Sequence, residues 1–372
     1  MKGRIVILDR IGDRAAAALM VDGRLEDFLI DPPSDGAPAP GAVFRGVLDR
    51  PLKGQGSMIV QIPGGTAFLR QTKGLRPGDA LLVQVTGYAE PGKAVPVAPL
   101  PIFKSRNVIV TPGKPGINVA RSVRDEDDRD RLLLIAHEVI AAVDEDLAPS
   151  GQNPSGQDAS GQDEAPTAGL GLILRSAAAT ATDEDIAVDI DETVRLALAV
   201  SGDQGGTGPE LLLDAPDSHH LAWRDWADPV PDQVIEAPGA FEDHGVLDAL
   251  AVDGADHLRL SGGASIYVEP TRALIAVDVN TGGDTSPAAA LKANMAAARA
   301  LPRALRLRGL SGQITVDFAP SPKKDRRQIE HCLRAAFRAD PVETALVGWT
   351  PLGHFELQRK RERCPVPMEI AG

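Results

Sequence analysis

HLRLSGGASIYVEPTRALIAVDVN (257–280) and, after an alanine-rich run, GQITVDF (312–318) are the stretches that decide how this chain folds. Side chains alternate faces along a strand. In the first stretch Ile275, Val277 and Val279 fall on one face, with Asp278 and Asn280 on the other. In the second, Ile314, Val316 and Phe318 oppose Thr315 and Asp317. The pattern predicts two or three strands with a turn at Glu269–Arg272, then a strand over 312–318. Between them Thr285 or Ser286 can cap a helix, with Pro287 at its first position and Gly309 past its end. Pro302 inside that helix is expected to kink it. Both carboxylates then sit at the C-terminal ends of apolar strands, where an α/β sheet usually presents its site.

A carboxylate in such a place is costly unless it is paired or binds a cation. Two of them with an amide carbonyl suit Mg²⁺, which keeps several waters and takes one or two carboxylates plus phosphate oxygens. Such an ion could activate water and offset charge on a scissile phosphate. Taken alone, strand-end aspartates are more often caps or partners of arginines, so both roles stay open at this point.

Outward from this core, the 372 residues are too many for one ordinary domain, and two to four modules are expected. Residues 4–8 and 16–21, followed by GRLEDFLID, predict a small meander of strands. DPPSDGAPAPG (31–41) reads as a linker, and the short β-rich runs over 42–100 fit a small barrel. SGQNPSGQDASGQDEAPT (150–167) is low-complexity and expected to be a disordered loop inserted within one module. A helix is expected from Thr182 to about 201 and a basic one over 323–339.

The charged opening MKGRIVILDRIGDR reads as a strand and not as a signal peptide, and no apolar run is long enough to span a membrane. Cys332 and Cys364 are the only cysteines, so a reducing cytoplasm is the expected setting. The net charge of −13 counts against a nucleic-acid binder. Fourteen Lys/Arg against seven Asp/Glu between Arg299 and Arg363 soften that objection. His219 and His220 lie between polar residues and are expected at the surface. Trp223 and Trp226, three apart, are expected to pack into the core, and Cys332 to be a small buried hydrophobe. His354 is expected to be solvated, with a phosphate contact as the rarer role.

ALIAVDVNTGGDTSPAAALKANMAAARALPRALRLRGLSGQITVDF (273–318) resembles the most diagnostic stretch of the ribonuclease E/G family. The resemblance implies an α+β multidomain chain: ribonuclease-H-like and DNase-I-like α/β subdomains with an inserted S1-type OB barrel. The implied division is a ribonuclease-H-like unit from 1–40 with 210–257, a barrel over 41–100, a 5′-end sensor region over 101–209, a catalytic subdomain over 258–363, and a degenerate zinc-link remnant over 364–372. It implies a Mg²⁺-dependent endoribonuclease acting on single-stranded RNA in messenger-RNA decay and in ribosomal or transfer RNA maturation. Asp278 and Asp317 would ligate the metal and Asn280 would support them. RNA contacts are implied at Phe68 in the barrel, at Arg121 in GINVARSV, at Arg175 and Ser176 as a 5′-monophosphate sensor, and at Arg359 and Arg361 in LGHFELQRKR.

Departures from the family pattern narrow this. The family's zinc link, Cys-Pro-x-Cys-x-Gly, here reads RCPVPMEIAG and keeps only Cys364, so zinc is not expected and a homodimer loses its implied basis. No small C-terminal domain is expected after it. Ile59 stands where the barrel's second stacking aromatic would be, removing a platform worth about 1–3 kcal/mol per base. These losses motivate an alternative: a catalytically weak or inactive RNA-binding paralogue.

Overall fold

The computed structural model describes residues 2–34, 36–52, 54–70, 73–90, 92–148, 165–203, 205–367 and 370. Among these described residues the chain is a mixed α+β structure built on four sheets. β1 (Arg4–Ile11), β2 (Arg14–Val21) and β3 (Arg24–Ile30) form an antiparallel meander. The central strand, RAAAALMV, is buried from Ala15 to Met20 because both faces of this sheet are covered. Small alanines there let covering elements approach closely.

β4 (Val43–Leu52), β5 (Ser57–Ile62), β6 (Gly65–Leu69), β7 (Ala80–Val85) and β8 (Val95–Pro99) close into a five-stranded barrel in the order β4-β5-β6-β8-β7-β4, an OB-like arrangement. Its interior is filled by Phe44, Leu48, Met58, Val60, Leu69 and Val83. Gly46 in β4 is required by closure: a Cβ there would meet a Val60 methyl at 2.4 Å.

β9 (Phe103–Lys104), β10 (Val108–Pro112) and β11 (Gly116–Val119) lead into α1 (Glu126–Leu147), and β12 (Leu170–Leu174) inserts between β10 and β11. α2 (Asp183–Ser201) starts at its Thr182 cap, which accepts from the Asp185 amide. Leu132 and Ile135 of α1 and Ile186, Ile190 and Val194 of α2 seal one core with this sheet. The low-complexity segment lies, as far as residue 164, outside the described residues. Its last residue, Thr167, is buried, its amide and hydroxyl both donating to the Asp144 carboxylate.

β13 (Glu210–Leu213) pairs with β4, so this segment, expected beside the N-terminal sheet, extends the barrel sheet instead. α3 (Ser218–Asp225) packs on one face of the meander, β14 (Gln233–Glu236) adds to it parallel to β1, and α4 (Ala240–Asp243) and α5 (Val246–Asp253) cover its other face.

The last sheet holds the two opening motifs. β15 (His257–Arg259), β16 (Ser265–Pro270) and β17 (Ile275–Asn280) are antiparallel neighbours. α6 (Pro287–Leu307) crosses over to β18 (Gly312–Asp317), which lies parallel to β17. α7 (Arg326–Arg338) follows, then β19 (Thr344–Trp349) and β20 (Phe355–Arg359), giving the order β15-β16-β17-β18-β20-β19. Ser286 caps α6, accepting from the Ala289 amide. The helix continues through Pro302 to Leu307, because Ala304 and Leu305 beyond the proline are packed into the same core as Ala293, Ala297 and Leu301 before it. Both helices cover one face of the sheet, and each Val, Leu or Ile buried there stabilises by about 1.5–3 kcal/mol.

Candidate active site

Burial along the two motif strands follows the predicted phase. In β17, Ile275, Val277 and Val279 are buried under the helices and Asp278 and Asn280 are exposed. In β18, Ile314 and Val316 are buried and Asp317 is exposed. Parallel pairing sets Asp278 directly beside Asp317, on strands about 4.8 Å apart. Two carboxylates therefore stand side by side at one end of the open face. Asn280 donates from Nδ2 to Asp278 Oδ2 at 2.6 Å, fixing that carboxylate's rotation. His354, in the turn before β20, brings Nε2 to 3.8 Å from Asp317 Oδ1.

Backbone features hold these groups in place. Gly282 (φ +77°), just past Asn280, passes so near the Gly263 carbonyl that a Cβ would sit 2.4 Å from it. Behind Asp317, Asn294 of α6 is fully buried and pairs with Ala319 in both directions at 2.9 Å. Sequence reasoning missed Asn294, although one asparagine among the alanines of the helix's apolar stripe was a visible signal.

Among the described residues no cluster of three or more His, Cys, Asp or Glu side chains is arranged to hold a metal. The donors present are two exposed carboxylates and an adjacent amide. That set fits a hard divalent cation which retains most of its water, and Mg²⁺ behaves so.

Several expected RNA contacts are placed otherwise. Arg359 is only 1% exposed, paired with Asp340 and donating to Thr344 Oγ1 at 2.9 Å. The reason is strand phase: Phe355, Leu357 and Arg359 face the helices, whereas Glu356 and Gln358 share the side of Asp317. Arg303, Arg306 and Arg308 are also buried, so part of the cationic excess counted in this region is internal. Arg361 is half-buried, donating to the Ser311 carbonyl and lying 3.8 Å from Glu90 of the barrel. Arg175 donates to the carbonyls of Ser105 and Arg224 and to Asp225. Burial opposes ionisation of Asp225, but pairing with Arg224 and Arg175 prevails and holds its pKa below the ordinary value. Ser176 opens a short 3₁₀ turn beside Arg175, and Arg121 is exposed in the turn after β11. In the barrel Phe68 is half-buried and stands directly opposite Ile59. Cys364 is drawn against the N-terminal core, 3.6 Å from Arg14 Nη2, and burial pushes its thiol pKa up.

The single aromatic and histidine expectations divide. Trp226 is buried and donates to Asp27, but Trp223 is 46% exposed beneath the Arg106 guanidinium. His219 is not a free surface group, since its Nε2 lies 2.8 Å from the Asp9 carbonyl. Cys332 is half-buried at the edge of the α6–α7 core.

The ribonuclease E/G family model matches residues 232–362, the segment that carries β14 to β20. Ribonuclease E of Nostoc sp. (strain PCC 7120) is 24% identical over 93% of this chain, and ribonuclease E of Synechocystis sp. (strain PCC 6803) is 23% identical over 97%. The chain is similar to the ribonuclease E/G family over these spans. Ribonuclease G of Salmonella typhimurium is 36% identical over 28% of this chain and 23% of its own length. The chain spans about half the length of the two ribonuclease E relatives, 54% and 57%. No helix among its described residues is long and apolar enough to cross a membrane.

Proposed function

We propose that the chain is a Mg²⁺-dependent endoribonuclease that cuts single-stranded RNA in RNA processing and decay. The observation that carries this is the in-register pair Asp278–Asp317 on the solvent-facing side of the last sheet. Asp278 and Asp317 would hold the ion, and Asn280 keeps Asp278 turned toward it. When bound, Mg²⁺ offsets charge developing on the scissile phosphate and eases ionisation of an attacking water. The chain's own part is placement: fixed carboxylates at the rim of a rigid sheet, with open space above for an extended strand. The OB-like barrel supports the single-strand preference, since such barrels commonly bind oligonucleotides, with Phe68 as its base-stacking residue. Arg121 is free to meet phosphate, whereas Arg175 would have to leave its present partners to sense a 5′ monophosphate.

A fluorescent single-stranded oligoribonucleotide bearing a 5′ monophosphate, incubated with Mg²⁺ or with a chelator, tests the proposal. Mg²⁺-dependent cleavage is expected, falling about 100-fold or more in Asp278→Asn and Asp317→Asn, as loss of metal-derived stabilisation requires. Tight RNA binding with no Mg²⁺-dependent cleavage by the wild type would instead make this a non-catalytic RNA-binding member. The replacement of the barrel's second aromatic by Ile59 is the observation favouring that second outcome.

A further inference from the structure

We propose that Tyr267 and His257 form a shelf beside the metal carboxylates on which one unpaired nucleobase of the RNA stacks, so that the site selects the base flanking the cut. The inference rests on the ribonuclease reading. Register carries it. Tyr267 of β16 is the direct cross-strand partner of Asp278, and His257 of β15 is the direct partner of Tyr267. Opposed residues share a face with Cβ atoms about 4.5–5.5 Å apart. His257, Tyr267, Asp278 and Asp317 therefore form one row across four neighbouring strands, two rings followed by two carboxylates.

The rings are already stacked, with centroids 4.4 Å apart and planes 14° from parallel. His257 thus occupies one face of the Tyr267 ring. The other face is turned toward the Asp278 side of the row, and Tyr267 is 38% exposed. A tyrosine this accessible, stacked on one face by a neighbouring ring, contributes little to packing. It does offer what a base requires: a fixed aromatic plane, tolerant of any base and strongest for the larger purines. The next strand is also the correct step. A phosphate over Asp278 and Asp317 places its adjoining nucleoside about one strand spacing away. Glu269 and Glu356 share this face in the adjacent row, which they form with Ala276 and Thr315, and repel phosphate on that side, so the neutral ring of a base fits better against Tyr267 there.

The experiment is single-turnover cleavage, in Mg²⁺, of four oligoribonucleotides that differ only in the nucleotide flanking the cut. Wild type, Tyr267→Ala, Tyr267→Phe and His257→Ala are compared. The wild type is expected to favour purines there. Tyr267→Ala is expected to lose about 5-fold or more on purine substrates and to level the preference. Tyr267→Phe, which keeps the ring, is expected to retain it, and His257→Ala to weaken it. The ratio between substrates does not depend on how much of a variant is folded, so misfolding cannot imitate the effect. An unaltered ratio in Tyr267→Ala beside an active wild type overturns the shelf alone. A wild type that cuts none of the four overturns the ribonuclease reading and the shelf with it.

Discussion

Asn294 shows how one buried polar side chain governs a carboxylate it never touches. It lies in a helix but satisfies both backbone groups of Ala319, two residues after Asp317. Removing it leaves a buried N–H and a buried C=O without partners. Asn294→Ala is therefore expected to lower the unfolding free energy by about 1–3 kcal/mol, measured by urea titration. It should also lower Mg²⁺-dependent cleavage of RNA, because the end of β18 is freed. An unchanged stability would show that Ala319 finds other partners. Arg359 teaches the opposite lesson about a charged residue. Its guanidinium is buried with Asp340, and Asp340 also receives Arg306 at 2.7 Å. Such a cluster fastens α6, the turn after α7 and β20 together, where a reader of the sequence sees a basic tail ready for phosphate.

At the scale of elements, α6 was the most legible. Its serine cap, N-terminal proline and closing glycine all stand where helix-end chemistry puts them. Ser286→Ala is expected to cost about 1 kcal/mol, read as a lower urea midpoint at constant slope. The strands of the last sheet were legible for a related reason: period-two burial leaves a plain mark when one face is packed and the other is wet. That mark also located Asp278, Asn280 and Asp317 on one face. What remained hidden depends on contacts distant in sequence. β13 carries no sign in ELLL that it will pair with β4 rather than with the meander. The phase of Phe355, Leu357 and Arg359 did announce that Arg359 points inward, but the cationic character of QRKR masked it. Arg175 reads as a phosphate donor until α3 supplies Asp225 and the Arg224 carbonyl. Similarly, the exposed Trp223 of α3 and the buried Trp226 just past its end differ in where the helix meets β2 and β3.

Across the whole molecule, Asp27 is the point where separate parts are joined. It is 3% exposed on β3. It accepts from Arg363 Nη2 at 2.9 Å and from Trp226 Nε1 at 3.4 Å, and it lies 3.8 Å from Arg306 of α6. The meander, α3, the crossover helix and the segment after β20 thus share one carboxylate. Replacing it by alanine strands buried arginines, so Asp27→Ala is expected to destabilise by about 3–5 kcal/mol, seen as a lower melting temperature of the full chain. If these parts unfold independently, the transition will split rather than shift. The segment after β20 is tied in further: the Tyr88 amide of the barrel end donates to the Arg361 carbonyl at 2.7 Å, and Gly309 (φ +61°) has no room for a Cβ against the Cys364 carbonyl.

The crossover between β17 and β18 has a thermodynamic corollary. Asp278 and Asp317 are remote along the chain and become neighbours only when α6 has docked and the two parallel strands have zipped together. A cation that prefers the assembled pair to the separated residues must, by linkage, favour the assembled sheet by the same free energy. Occupancy of the site and integrity of the fold would then be one equilibrium viewed from two ends. In that case the ion is a clasp as well as a reagent, and scarcity of divalent cation loosens the very scaffold that aims it.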